Sequence, residues 1–168
     1  MAELSLQERL QPSLLDRLRD DHPDQTAEGP SERVLTLSQL KKSVQRDIGW
    51  LLNTCNLQKQ VAGYPEVERS VINYGIADLA GLTSSTLDVA VLERMIQQAL
   101  EIFEPRLIKN SIRLQAEVDP QAMSHNTLIL TIECEVWATP APVELLLRTA
   151  LDFETGDVSV MALSAGDR

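Results

Sequence analysis

Three spacing regimes follow one another along the chain. In the first, Leu37, Leu40, Val44, Ile48, Leu51 and Leu52 recur at three and four residues, which predicts an amphipathic helix over Ser38 to Asn53. Lys41, Lys42 and Arg46 fall on its other side and read as a solvated basic face. The same spacing returns in Leu87, Leu92, Met95, Ile96, Ala99, Ile102 and Phe103, predicting a second helix from Leu87 that runs toward Leu107. Ser85 with Asp88 approximates a capping box at its start. Pro105, which has no amide proton and pushes Glu104 out of α geometry, supplies its stop. Arg106 follows at once and is placed to offset Glu104 at the negative end of the helix, which makes an exposed ion pair the simplest reading of both.

After Pro105 the period changes to two. Ile112, Leu114, Ala116 and Val118 alternate with polar residues, as do Leu128, Leu130, Ile132, Cys134 and Val136. Val143, Leu145, Leu147, Leu151 and Phe153 continue the scheme. Thr155-Gly156-Asp157 then reads as a hairpin turn into a fourth strand with Val158 and Val160. Helices first and strands afterwards predict an α+β fold: N-terminal helices followed by a long helix packed on an antiparallel sheet of about four strands. The final hairpin, Val158 to Val160, is the expected open edge of that sheet.

Ahead of the first long helix, Pro12 suits the start of a short helix through Leu18 with Leu14, Leu15 and Leu18 on one side. Asp20 to Arg33 turns polar, with Pro23, Gly29 and Pro30. The expected division is therefore an N-terminal arm and flexible linker over 1–34 and an α+β domain over 35–168. The arm either docks on its own domain or is handed to a partner, and deleting 1–30 is expected to leave a cooperative melt. Between the helices, Tyr64-Pro65 opens a short helix or turn with Val67, Val71 and Ile72, and Gly75 and Gly81 mark positions open to positive φ.

Composition removes several classes of function. With 168 residues and 43% hydrophobic residues the chain can bury a core, and a net charge of −10 disfavours nucleic acid and anionic membrane as partners. No signal peptide or membrane span is legible, and Cys55 and Cys134 fit no metal spacing, so a reducing cytoplasm is the expected setting. His22 and His125 have no neighbouring nucleophile or metal ligand in sequence, and no Gly-rich phosphate loop occurs. No catalytic, cofactor-binding or metal residues are therefore assigned, and no cofactor or small-molecule substrate is expected.

The order of Pro12-Ser13-Leu14-Leu15-Asp16-Arg17-Leu18, Tyr64-Pro65-Glu66-Val67, Ser70 to Leu79 with its Asn73-Tyr74-Gly75, and Glu104-Pro105-Arg106 before alternating strands resembles the baseplate wedge family of contractile injection machines. Within it the chain looks like the TssE-type subunits of type VI secretion, relatives of a phage tail wedge protein. The resemblance implies a structural subunit rather than an enzyme, assembled near the inner membrane of a bacterium. It would link the wedge core bundle to the first sheath ring and promote sheath assembly, with partners of the TssF, TssG and TssK (wedge) and TssB and TssC (sheath) types. It also carries a partner-binding role over to Glu104, Pro105 and Arg106, and suggests that the sheet templates the sheath by strand addition.

A lysozyme-like peptidoglycan hydrolase is the alternative, because relatives have carried that label. Such chemistry needs two carboxyl groups about 5–10 Å apart, one with a raised pKa. Glu133 and Glu135 share one strand face, and Glu104 has an arginine beside it, which acts in the wrong direction for a general acid. Aromatics are 4% of the chain, leaving little to stack on a sugar.

Overall fold

A computed structural model describes residues 13–18, 24, 36–80, 88–117, 127–139 and 141–163. Pro12, His22, Gly81, Ser85, Leu87, Val118, His125 and most of the linker lie outside the described residues. The helices are α1 (Leu14–Leu18), α2 (Leu37–Leu52), α3 (Pro65–Glu68) and α4 (Val89–Phe103). The strands are β1 (Arg113–Glu117), β2 (Thr127–Val136), β3 (Val143–Asp152) and β4 (Val158–Ala162), joined as an antiparallel meander in the order β1-β2-β3-β4.

Both long helices start on side-chain caps. Thr36 and Gln39 form a reciprocal capping box on α2. The Ser85 half of the expected capping box lies outside the described residues; Asp88 caps α4 by accepting from the Ala90 amide at 3.0 Å, and the helix opens at Val89. It ends four residues before Leu107, with Glu104 at φ −117 and ψ 80, outside α geometry as the residue before a proline must be. On α2 the expected stripe is buried from Leu40 to Leu52, whereas Leu37 is half exposed. On α4 the buried set is Leu92, Ile96, Ala99 and Leu100, while Ile102 has turned toward solvent.

These stripes meet the alternate residues of the sheet. Leu130, Ile132 and Val136 of β2 and Leu147 and Leu151 of β3 are fully or almost fully buried in one core with Val44, Ile48, Ile96 and Leu100. Phe153, just past β3, closes the core below the turn at Gly156, whose φ is +79. The opposite face of β2 carries exposed Glu133 and half-buried Glu135, with exposed Trp137 just past its end. Cys134 is core, and burial together with the negative charge of Glu104 pushes its thiol up to about 12. Cys55 is exposed. A thiol reagent at pH 8 is therefore expected to modify Cys55 in the native protein and Cys134 only after unfolding; rapid modification of both would show that the core opens around β2.

The last hairpin is not an open edge at Val158. There the side-chain amide of Asn53, just past α2, acts as a strand partner: it accepts from the Val158 amide at 2.9 Å and donates to the Val158 carbonyl at 2.7 Å. Gln45 donates to the Val160 carbonyl at 2.9 Å. The other edge is treated alike, the Ala116 amide of β1 donating to Glu93 of α4 at 2.9 Å. Helix side chains thus occupy the ladder positions that an edge strand would offer to another chain. Asn53→Ala is expected to cost about 1–2 kcal/mol and to raise concentration-dependent self-association, read by denaturation and sedimentation. A variant as stable and monomeric as the parent would show that the cap is ornamental.

Candidate functional site

The residues that end α4 build the densest polar cluster described. Arg106 turns back from the Pro105 turn beneath the end of the helix. Its Nε and Nη2 each donate at 2.7 Å to separate oxygens of Glu104, a bidentate fork. Its Nη2 also reaches Asp47 of α2 at 2.6 Å, and its Nη1 reaches the Ser43 hydroxyl at 3.1 Å. Glu104 is 5% exposed. The exposed helix-end pair expected from sequence is thus a largely buried clasp between α4 and α2. The reason is the turn after Pro105: Leu107 bridges to Val136, Ile108 donates to the Glu135 carbonyl, and Trp137 donates to the Arg106 carbonyl. Stitched to β2, the Glu-Pro-Arg segment has to pass under α2.

Burial opposes the charge of Arg106, but hydrogen bonds and attraction from Glu104 and then Asp47 outweigh it, holding the guanidinium pKa above its usual value. Pro105 is exposed at the surface of this clasp. It borders a groove lined by Leu15, Trp50, Tyr74 and Phe103, in which the rings of Tyr74 and Phe103 meet edge to face at 5.3 Å.

The cluster continues into the arm. Asp47 accepts from Arg46 at 2.8 Å; Arg46 in turn reaches Asp16 of α1 at 2.6 Å and lies over the Trp50 ring at 4.9 Å. Arg46 is therefore not part of a free solvated face, unlike exposed Lys42. Burial alone would raise the Asp16 carboxyl; hydrogen bonds from Arg46, Ser13 and Ser43, with the charge of Arg46, hold it well below its ordinary range. Because that shift is downward, the stability it contributes is present above the ordinary carboxyl pKa and is lost as pH falls through the lower folded value. Three carboxylates and two guanidiniums alternate in this row, from Asp16 through Arg46, Asp47 and Arg106 to Glu104.

The sequence pointed to Glu104, Pro105 and Arg106 and missed Ser43 and Asp47. Their signal was available only as two polar residues one turn apart at the border of the α2 apolar stripe. The other acids considered for catalysis are not brought here: Glu133 and Glu135 project from the opposite face of the sheet. His22 and His125 lie outside the described residues. Asn73 is 8% exposed and serves the fold, its side chain accepting from the Leu57 amide and donating to the Glu68 carbonyl.

A family model described as baseplate wedge protein gp25 matches residues 38–141, a span that contains α2 from its second residue, α4, the clasp, β1 and β2. A crystal structure of a proposed tail lysozyme from Geobacter sulfurreducens is similar at 16% identity, covering 79% of this chain and 99% of that one with a TM-score of 0.43. No curated protein matches the chain.

Proposed function

The chain belongs to the baseplate wedge protein gp25 family, and we propose that it serves there as the TssE-type wedge subunit of a type VI secretion machine. A structural place in a phage-tail-like baseplate follows from the family. The finer reading is a non-catalytic protein, assembled on the cytoplasmic side near the inner membrane, that joins wedge proteins of the TssF, TssG and TssK types. It would also seat the first ring of TssB- and TssC-type sheath proteins.

What carries the reading is the clasp. Glu104, Pro105 and Arg106 lie inside the matched span, and the fork that buries Glu104 holds Pro105 and the α2 and α4 walls of the groove beside it in place. Binding to a surface already held in place avoids much of the ordering cost of association. The hydrolase reading has less behind it. Glu104 is the one buried carboxylate among the described residues, and both of its oxygens accept from Arg106. If sheath strands add to this sheet at β4, they must first displace Asn53 and Gln45.

Expression with its chromosomal neighbours tests the proposal. Co-elution with wedge proteins in a large particle is the expected result. A monomer that never enters such a particle overturns the assembly role, and hydrolysis of peptidoglycan by the purified protein would put the lysozyme reading in its place.

A further inference from the structure

Among the described side chains of α1, the hydrogen bonds and ion pair to α2 are made by a polar residue, and both described leucines face solvent at least in part. Asp16 faces α2: it accepts from Ser43 at 2.8 Å and from Arg46 at 2.6 Å, and Ser13, just ahead of the helix, donates to the same carboxylate at 2.7 Å. Leu15 and Leu18 instead are 48% and 74% exposed. A five-residue helix has negligible stability of its own, and among its described side chains Asp16 supplies the hydrogen bonds and ion pair to α2 that hold it on the domain.

Undocking would leave the clasp intact. Arg46 would keep Asp47, and Arg106 would keep Asp47 and Glu104. Two donors would be released together, the Ser43 hydroxyl and Nη1 of Arg46, already spaced to receive one carboxylate. Around them α2 is basic within an acidic chain: Lys42 and Arg46 border a hollow that runs past Trp50 to Asn53. Ser13 and Leu15 also lie in the groove beside Asp47, Pro105 and Arg106, so a protein approaching Pro105 meets α1.

We propose that α1 is a releasable strap over the partner surface, and that Ser43 with Arg46 forms an exchangeable carboxylate site, filled by Asp16 in the free chain and by an acidic side chain of a wedge protein in the baseplate. The proposal rests on the reading of Pro105 and Arg106 as a partner surface. A partner must displace the strap before it binds, which lowers its apparent affinity by the fraction of chains in the strapped state.

The test uses the full chain, Asp16→Ala, Arg46→Ala and the double variant. Each is titrated against the wedge proteins encoded beside it, purified together without this subunit. Asp16→Ala is expected to bind roughly fivefold to thirtyfold more tightly, the factor that about 1–2 kcal/mol represents. The double variant is expected to lose that gain. Equal or weaker binding by Asp16→Ala overturns the strap, and a double variant that keeps the full gain overturns the carboxylate exchange. A second readout needs no partner: backbone order parameters over 13–18 are expected to fall in free Asp16→Ala from about 0.85 toward 0.6 or below. If they do not move, Asp16 is not the latch and the proposal fails. Failure of the unaltered chain to bind any wedge protein would instead sink the assembly reading, and the order parameters alone would then judge the strap.

Discussion

Arg106→Ala is expected to destabilise the isolated protein by about 2–4 kcal/mol, lowering its melting temperature by roughly 5–15 °C. An exposed pair at a helix end would contribute only about 0–1 kcal/mol, and on that basis the substitution would scarcely register. Burial decides between the two values. Glu104 is 5% exposed and receives both strong donors of the fork, so truncation leaves a carboxylate away from water with only the Arg106 main-chain amide, 3.3 Å away, still donating to it. Asp47 keeps Arg46 and Ser43 keeps Asp16, which puts the loss well below that of a fully buried network. Arg106→Lys is expected to recover less than half, because one ammonium cannot serve both oxygens of Glu104 and also reach Asp47 and Ser43. Wedge binding is then measured at a temperature where each variant is folded. Loss of association beyond the unfolded fraction assigns Arg106 a second, intermolecular role. A melt within 1 kcal/mol of the parent (roughly the exposed-pair value) would show the clasp to be open in solution.

The elements were legible because their periods are local. Val44 and Ile48, or Ile132 and Cys134, declare a helix or a strand within a few residues, and the structure buries each of them. What escaped the sequence depends on contacts between distant positions. Arg106 reaches Ser43 and Asp47 across 63 and 59 residues, and Asn53 reaches Val158 across 105. No spacing rule connects such pairs. The same limit explains why the Val158 edge read as open: hydrophobic alternation reports which face of a strand is buried, and is silent about which edge has a partner. Trp50 is a third case. Its half-exposed ring, with Arg46 above it, belongs to no apolar stripe and becomes meaningful only once α1 is seated beside it.

Gly75→Ala is expected to be the most damaging small substitution, costing about 3–5 kcal/mol by combining backbone strain with the loss of a close contact. Gly75 has φ +117, a conformation that a residue with a Cβ rarely adopts. A Cβ there would stand 2.1 Å from the Thr54 carbonyl oxygen and 2.7 Å from its carbon. That backbone cannot simply move aside. The Thr54 carbonyl accepts from the Ile76 amide at 2.9 Å, and the Asn56 amide donates to the Ile76 carbonyl at 2.9 Å, a short parallel bridge between the exit of α2 and the segment leading to α4. Ile76 is 3% exposed in the core, and Tyr74 packs on Phe103 at the end of α4, so a shift at Gly75 reaches the groove beside Pro105 as well. Two other glycines isolate the cause. Gly63 has φ +93 with nothing within 4 Å of its would-be Cβ, so Gly63→Ala is expected to cost only about 1 kcal/mol of backbone strain. Gly49 lies inside α2 with its nearest contact, Val160, at 4.0 Å, so Gly49→Ala is expected to be stabilising by up to about 1 kcal/mol through helix propensity. Denaturant midpoints at constant slope read all three. If Gly75→Ala unfolds at the same denaturant concentration as Gly63→Ala, positive φ alone sets the cost and the Thr54 approach carries none of the stability.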